Sequence, residues 1–169
     1  MRCPALLSCL SLIAASSLMT ASAQDLGVSL YHQVPPKPAH GTNAQPVNEI
    51  LLRMVDRWNA HDIEGLMSLY WKSTSLLAVI DTQQYEGWQK LYQSYKNQYR
   101  DPRDMGIVSP TRIQVELLEP DLAFGILSWT LTFPNNPLAS EVVGTSTVDL
   151  QKFADGWKIV VLHMSFTEM

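Results

Sequence analysis

From Ile107 onward the sequence is almost continuous long strand, and this constrains the fold more than any other feature. Ile107 to Leu118 alternates through Ile113, Val115 and Leu117, Glu119-Pro120-Asp121 turns the chain, and Leu122 to Phe133 returns. Pro134-Asn135-Asn136-Pro137 makes a wider loop, Glu141 to Phe153 runs out, and Asp155-Gly156 closes a hairpin onto Gly156 to Phe166. Segments joined by such turns pair antiparallel. Strands this long cannot stay flat, so the sheet must twist and curl, and its hollow side must be filled by helices.

The last strand fixes which residues that hollow side receives. At a period of two, Trp157, Ile159, Val161, His163 and Ser165 share one face, and Lys158, Val160, Leu162 and Met164 take the other. Both faces are mostly apolar, as in a central strand. His163 and Ser165 interrupt the first face, where burial is costly without partners or a cavity. Strict alternation predicts that both point to the concave side.

Three helices precede the meander. Pro46 opens the first, with Val47, Ile50, Leu51, Met54, Val55 and Trp58 at steps of three and four. Asp62 caps a short second helix that carries Ile63, Leu66, Met67 and Tyr70 on one face. A short apolar strand follows at Leu76 to Ile80. After Tyr85-Glu86-Gly87 comes a third helix with an aromatic stripe, Trp88, Leu91, Tyr92, Tyr95 and Tyr99, which Arg100-Asp101-Pro102 stops. The fold class is therefore α+β: a cone of three N-terminal helices packed on a curled antiparallel sheet, wrapped round the first helix pair.

The chain's first 23 residues read as an export leader. Arg2 is a basic start, Ala5 to Met19 an apolar run, and Ala21-Ser22-Ala23 a small-x-small cleavage pattern. Both cysteines, Cys3 and Cys9, lie inside it, so the remainder would hold no disulfide and no cysteine-based metal or nucleophile site. Residues 24–45, with Val34-Pro35-Pro36-Lys37-Pro38, form a proline-rich arm, and residues 46–169 are the folded domain. His32 and His40 fall in the arm, with no acidic or cysteine partner at ligand spacing. Cleavage removes Arg2 and no acidic residue, moving the formal net charge from −4 to −5. That balance argues against nucleic acid and anionic membranes as partners. The expectation is a protein secreted or held in the periplasm, with no membrane contact once the leader is gone.

Trp58-Asn59, Asp62-Ile63-Glu64, Leu69-Tyr70-Trp71, Tyr85-Glu86-Gly87-Trp88, Asp121-Leu122-Ala123 and Gly156-Trp157-Lys158-Ile159-Val160, with His163 and Ser165, together resemble the NTF2-like (SnoaL-like) superfamily. Within it the layout is most similar to the bacterial DUF4440-type proteins. The resemblance spans Pro46 to Phe166. It implies a cone with a pocket at its open end, lined by helices and the concave sheet face, and often a homodimer through the outer sheet. It does not imply a reaction, because members include isomerases, dehydratases, cyclases, hydrolases and proteins without known chemistry.

The steroid-isomerase branch resembles this chain at Asp62-Ile63-Glu64 and Tyr70, but its general base would fall on Ala78 and its oxyanion tyrosine on Met54. Abstraction of a proton beside a carbonyl needs both groups, and both positions are apolar. The remaining candidates are His163 and Ser165, with Trp58, Tyr70, Trp88 and Tyr92 from the helices as the rest of a ligand pocket. His163 has two readings. It is either a general acid or base, its ordinary pKa being about 6.5, or a structural histidine at the cone mouth. No acid is placed by sequence to complete a serine relay. No metal-ligand spacing and no phosphate-binding glycine loop appears, so the sequence calls for no cofactor. Two functions compete. One is a non-catalytic module that binds a small, largely apolar ligand or dimerises. The other is a cofactor-independent lyase, isomerase or hydrolase of SnoaL type that uses His163.

Overall fold

The computed structural model describes residues 44–136 and 138–169. The leader and nearly all of the proline-rich arm lie outside the described residues. Helix α1 (Gln45–Asn59) has Pro46 in its first turn and buries Val47, Ile50, Leu51, Met54 and Val55, the stripe expected from the spacing. The chain reverses through His61, which adopts a left-handed φ of 55°. Asp62 then caps α2 (Ile63–Met67), its carboxylate accepting the Gly65 N–H at 2.7 Å.

Two short strands follow, β1 (Leu77–Ile80) and β2 (Gln83–Glu86), and then α3 (Trp88–Gln98). A 3-10 turn at Pro102–Met105 leads into the long strands β3 (Ile107–Glu119), β4 (Leu122–Thr132), β5 (Val142–Phe153) and β6 (Gly156–Glu168). They form one six-stranded sheet in the order β2-β1-β6-β5-β4-β3. The long strands run antiparallel as expected.

The sheet is not antiparallel throughout, which corrects the sequence expectation. β1 pairs with β6 in parallel, Leu77 opposite Val161 and Ile80 opposite Met164. The cause lies just upstream. As the chain leaves α2, it bridges β6 in parallel at Tyr70 and Ile159, with Trp71 N–H donating to the Ile159 carbonyl and Ile159 N–H to the Leu69 carbonyl. β1 continues in that direction, and the β1–β2 hairpin then adds a strand, Gln83–Glu86, to which the sequence reading assigns no element.

Register shifts curl the sheet. β3 carries an extra residue at Thr111 and another at Leu118, and β6 carries one at Val160. Each bulge bends its strand and increases the local twist. Pro110 is tolerated because β3 is an edge strand. On the concave side, Ala123 of β4, Val148 and Leu150 of β5, and Ile159 and Leu162 of β6 are buried with α1 and α2 in the core, and Leu127 and Trp129 of β4 form a second buried group with Val55 of α1. Gly125 leaves room for Leu51, since a Cβ there would stand 3.0 Å from its Cδ1.

Candidate functional site

The core does not fill the cone completely. A cavity of about 310 Å³ remains between the helices and the concave face, toward one end of the sheet. That volume is at the small end of the range for small-molecule pockets. From the helix side Met54, Val55 and Trp58 of α1, Tyr70 beyond α2, and Tyr95 and Tyr99 of the third-helix stripe enter it. From the sheet side come Leu127, Trp129 and Leu131 of β4, Ser146 of β5, and Met164, Phe166 and Glu168 of β6.

The aromatic groups hold one another in place. Trp58 meets Tyr99 edge-on at a centroid distance of 5.3 Å and Tyr95 at 6.3 Å, while Tyr95 stacks on Tyr99. Across the cavity Trp129 lies against Phe166. The Trp129 indole N–H donates to Ser146 Oγ at 3.0 Å, and Gln98 donates to the Tyr99 hydroxyl at 3.1 Å. Trp129 lies flat over Gly144, its cross-strand partner, where a Cβ would collide with the indole ring. The Trp58 indole N–H is buried with no acceptor among the described residues.

The tyrosines serve as neutral hydroxyls. Burial pushes Tyr99 up to about 12. Burial also raises Tyr70 far above the ordinary phenol value, although the hydrogen bond it receives from Tyr95 pulls the other way. Tyr95 is raised well above that value by burial, with Tyr70 and Tyr99 adding to the effect. None of the three is poised to act as a base near neutral pH.

The residues expected from sequence divide into two groups. Trp58 and Tyr70 line the cavity. His163 and Ser165 do not; both are exposed and lie on the opposite face of β6. The reason is the bulge at Val160. Asp149 faces Val161 and Leu150 faces Ile159, so one residue is left over and the alternation inverts beyond it. Ile159, Leu162, Met164, Phe166 and Glu168 therefore turn inward, while His163 sits between Thr147 and Val79 on the convex side.

Trp88 and Tyr92 also lie outside the cavity, at the other end of α3. They stack on each other at 5.0 Å and tie that helix to α2, Trp88 Nε1 donating to the Met67 carbonyl at 2.9 Å and Tyr92 to Glu64 at 3.0 Å. At 1.5 Å rise per residue, Trp88 and Tyr95 are about 10 Å apart along the helix axis. The stripe is thus shared between a helix clamp and the cavity. The sequence places Tyr95 and Tyr99 in this stripe, but it is Trp88 and Tyr92, from the end away from this cavity, that it names as pocket residues. Trp129, Phe166 and Glu168, which line the cavity, are not among the pocket residues that the sequence names.

No family model matches the chain, and no curated protein does. Solved structures do. An NTF-2 like protein of unknown function from Shewanella oneidensis MR-1 is 24% identical over 72% of this chain and 98% of its own, with a TM-score of 0.65. A proposed dehydratase of the NTF2-like family from Streptomyces avermitilis is 17% identical, covering 75% and 96%, at 0.61. An NTF2-like superfamily protein from Salmonella enterica is 15% identical, covering 72% and 88%, at 0.59. At these identities the likeness is one of fold: the chain has the α+β NTF2-like fold, and the described residues contribute three helices packed against a curled six-stranded sheet.

Proposed function

We propose that this NTF2-like domain is a binding module that holds a small, largely apolar molecule in the cone, without performing chemistry on it. The observation that supports this most is the cavity itself, about 310 Å³ bounded mainly by aromatic and aliphatic side chains with a few hydroxyls. Acid and base work is poorly served there. The lining tyrosines hold their protons, and Glu168 at the lip is the one ionisable carboxylate among the described lining residues. His163, the base that a SnoaL-type reaction would have required, faces away. Read with the leader over residues 1–23, the module would act outside the cytoplasm, as a homodimer through the convex sheet face.

Crystals soaked with small aromatic and terpenoid compounds test the reading. Density between Trp58 and Trp129 is expected in the unmodified protein, and none in Leu131→Trp, whose larger ring fills the cavity. Compounds that bind both proteins equally, or only elsewhere, would overturn it.

A further inference from the structure

The cavity has an unusual combination of walls. Trp58, Tyr95 and Tyr99 present rings from the helix side, and Trp129 and Phe166 from the sheet side. Glu168 stands at the lip, exposed and within the lining. Among the described residues the lining contains no lysine, arginine or histidine. Aromatic faces carry the negative part of the ring quadrupole and attract cations, more strongly when water is excluded. A carboxylate at the entrance adds attraction of the same sign. An anion would meet no countercharge inside and a repelling carboxylate at the door.

From this arrangement we infer that the cavity takes an organic monocation, a quaternary alkylammonium, in preference to a neutral molecule of the same shape. The inference rests on the cavity being a binding site, as proposed above. A quaternary group suits it better than a primary amine for a further reason. A primary ammonium brings three N–H donors that need acceptors. The Ser146 and Tyr99 hydroxyl oxygens each already accept one donor, from Trp129 and Gln98, so few acceptor sites remain among the rings for three N–H groups, the Glu168 carboxylate standing at the lip. A quaternary nitrogen spreads its charge over methyl groups that need no hydrogen-bond partner, and these can lie against rings on both walls. Because Tyr70, Tyr95 and Tyr99 stay neutral, the Glu168 carboxylate is the charge that such a ligand meets.

Phenyltrimethylammonium and tert-butylbenzene share a shape and differ in charge, so together they isolate the effect. Titration of the full chain, followed by tryptophan fluorescence, should show the cation bound at least about fivefold more tightly than the hydrocarbon. Glu168→Gln and Phe166→Leu, both at exposed positions where folding is little affected, should each reduce that ratio at least about twofold. Equal or tighter binding of tert-butylbenzene would overturn the charge preference while leaving the cavity as a binding site. A ratio that neither variant alters would also overturn it, since the cation would then be binding elsewhere. If neither compound binds at millimolar concentration, the binding reading itself falls, and this inference with it.

Discussion

The Asn59 side chain is bonded to the Val108 backbone in both directions: its Nδ2 donates to the Val108 carbonyl and its Oδ1 accepts the Val108 N–H, each at 2.8 Å. Asn59 ends α1, and Val108 lies at the start of the edge strand β3. The amide therefore satisfies two edge groups as another strand would, and it locks the end of the helix to the sheet beside the cavity. Trp58, the neighbouring residue, and Val108 are both cavity walls.

Removing that amide should loosen the cone. Asn59→Ala leaves a part-buried donor and acceptor unsatisfied, at a cost of about 1–3 kcal/mol. Asn59→Asp should not rescue it, because a carboxylate can accept the Val108 N–H but opposes the Val108 carbonyl. Urea unfolding followed by circular dichroism should show a lowered midpoint with an unchanged slope for both variants. A wild-type midpoint for Asn59→Asp would show that the two-way bond is unimportant.

Gly144 makes room for the sheet-side wall of the cavity. Any Cβ at this position collides with the Trp129 indole and comes within 2.9 Å of the Ser165 carbonyl oxygen. Gly144→Ala should lift the ring off the sheet, break its bond to Ser146 and push it into the cavity, destabilising the fold by about 1–3 kcal/mol. The expected signature is a shifted tryptophan emission together with loss of ligand binding. Unchanged emission and binding would mean that the ring has another resting place.

How much of this was legible in the sequence depended on whether a pattern could be phased. Helix α1 was legible because its apolar residues recur at a helical period between polar ones, leaving one face to bury. In β6 the run Ile159-Val160-Val161-Leu162 is apolar at every position. A bulge there shifts the alternation without leaving a polar residue out of place, so strict alternation puts His163 and Ser165 on the wrong face. The parallel pairing of β1 was hidden for a similar reason. Leu77–Ile80 is short and uniformly apolar, and its direction follows the bridge that Tyr70, just upstream, makes to Ile159, a residue distant in sequence. The aromatic stripe of α3 gave the right angular face but carried no information about depth along the helix axis.

Alkaline titration should register the buried tyrosines. Their folded pKa values lie above the value of about 10 that an unfolded chain shows. Above pH 10 the unfolded state therefore binds fewer protons than the folded one, and stability falls as pH rises. Below pH 10 these groups give no slope. The decline should start near pH 10 and continue through about 12 for Tyr99. Absorbance at about 295 nm in native protein should show a late class of phenols, and Tyr99→Phe should shrink that class and flatten the decline. If all phenols titrate together near 10, the cluster is open to solvent.

The convex face of the sheet leads to the last prediction. One row across it runs Ile126, Thr147, His163 and Val79, and the next carries Phe124, Asp149 and Val161. The set Leu127, Trp129 and Leu131 lies on the helix side, so among the described residues no helix covers the half-buried Phe124 and Ile126. An apolar sheet face of this kind usually has a partner, and a second copy of the chain meets its mixed apolar and hydroxyl character with the same character. The expected state is a dimer by light scattering at micromolar concentration. Ile126→Lys would then bury a charge in the apolar face of each copy and give a monomer. The cavity lies on the other face, so ligand binding should survive in that monomer. A wild-type protein that stays monomeric at high micromolar concentration would remove the dimer from the proposal, leaving His163 and Phe124 as ordinary surface residues.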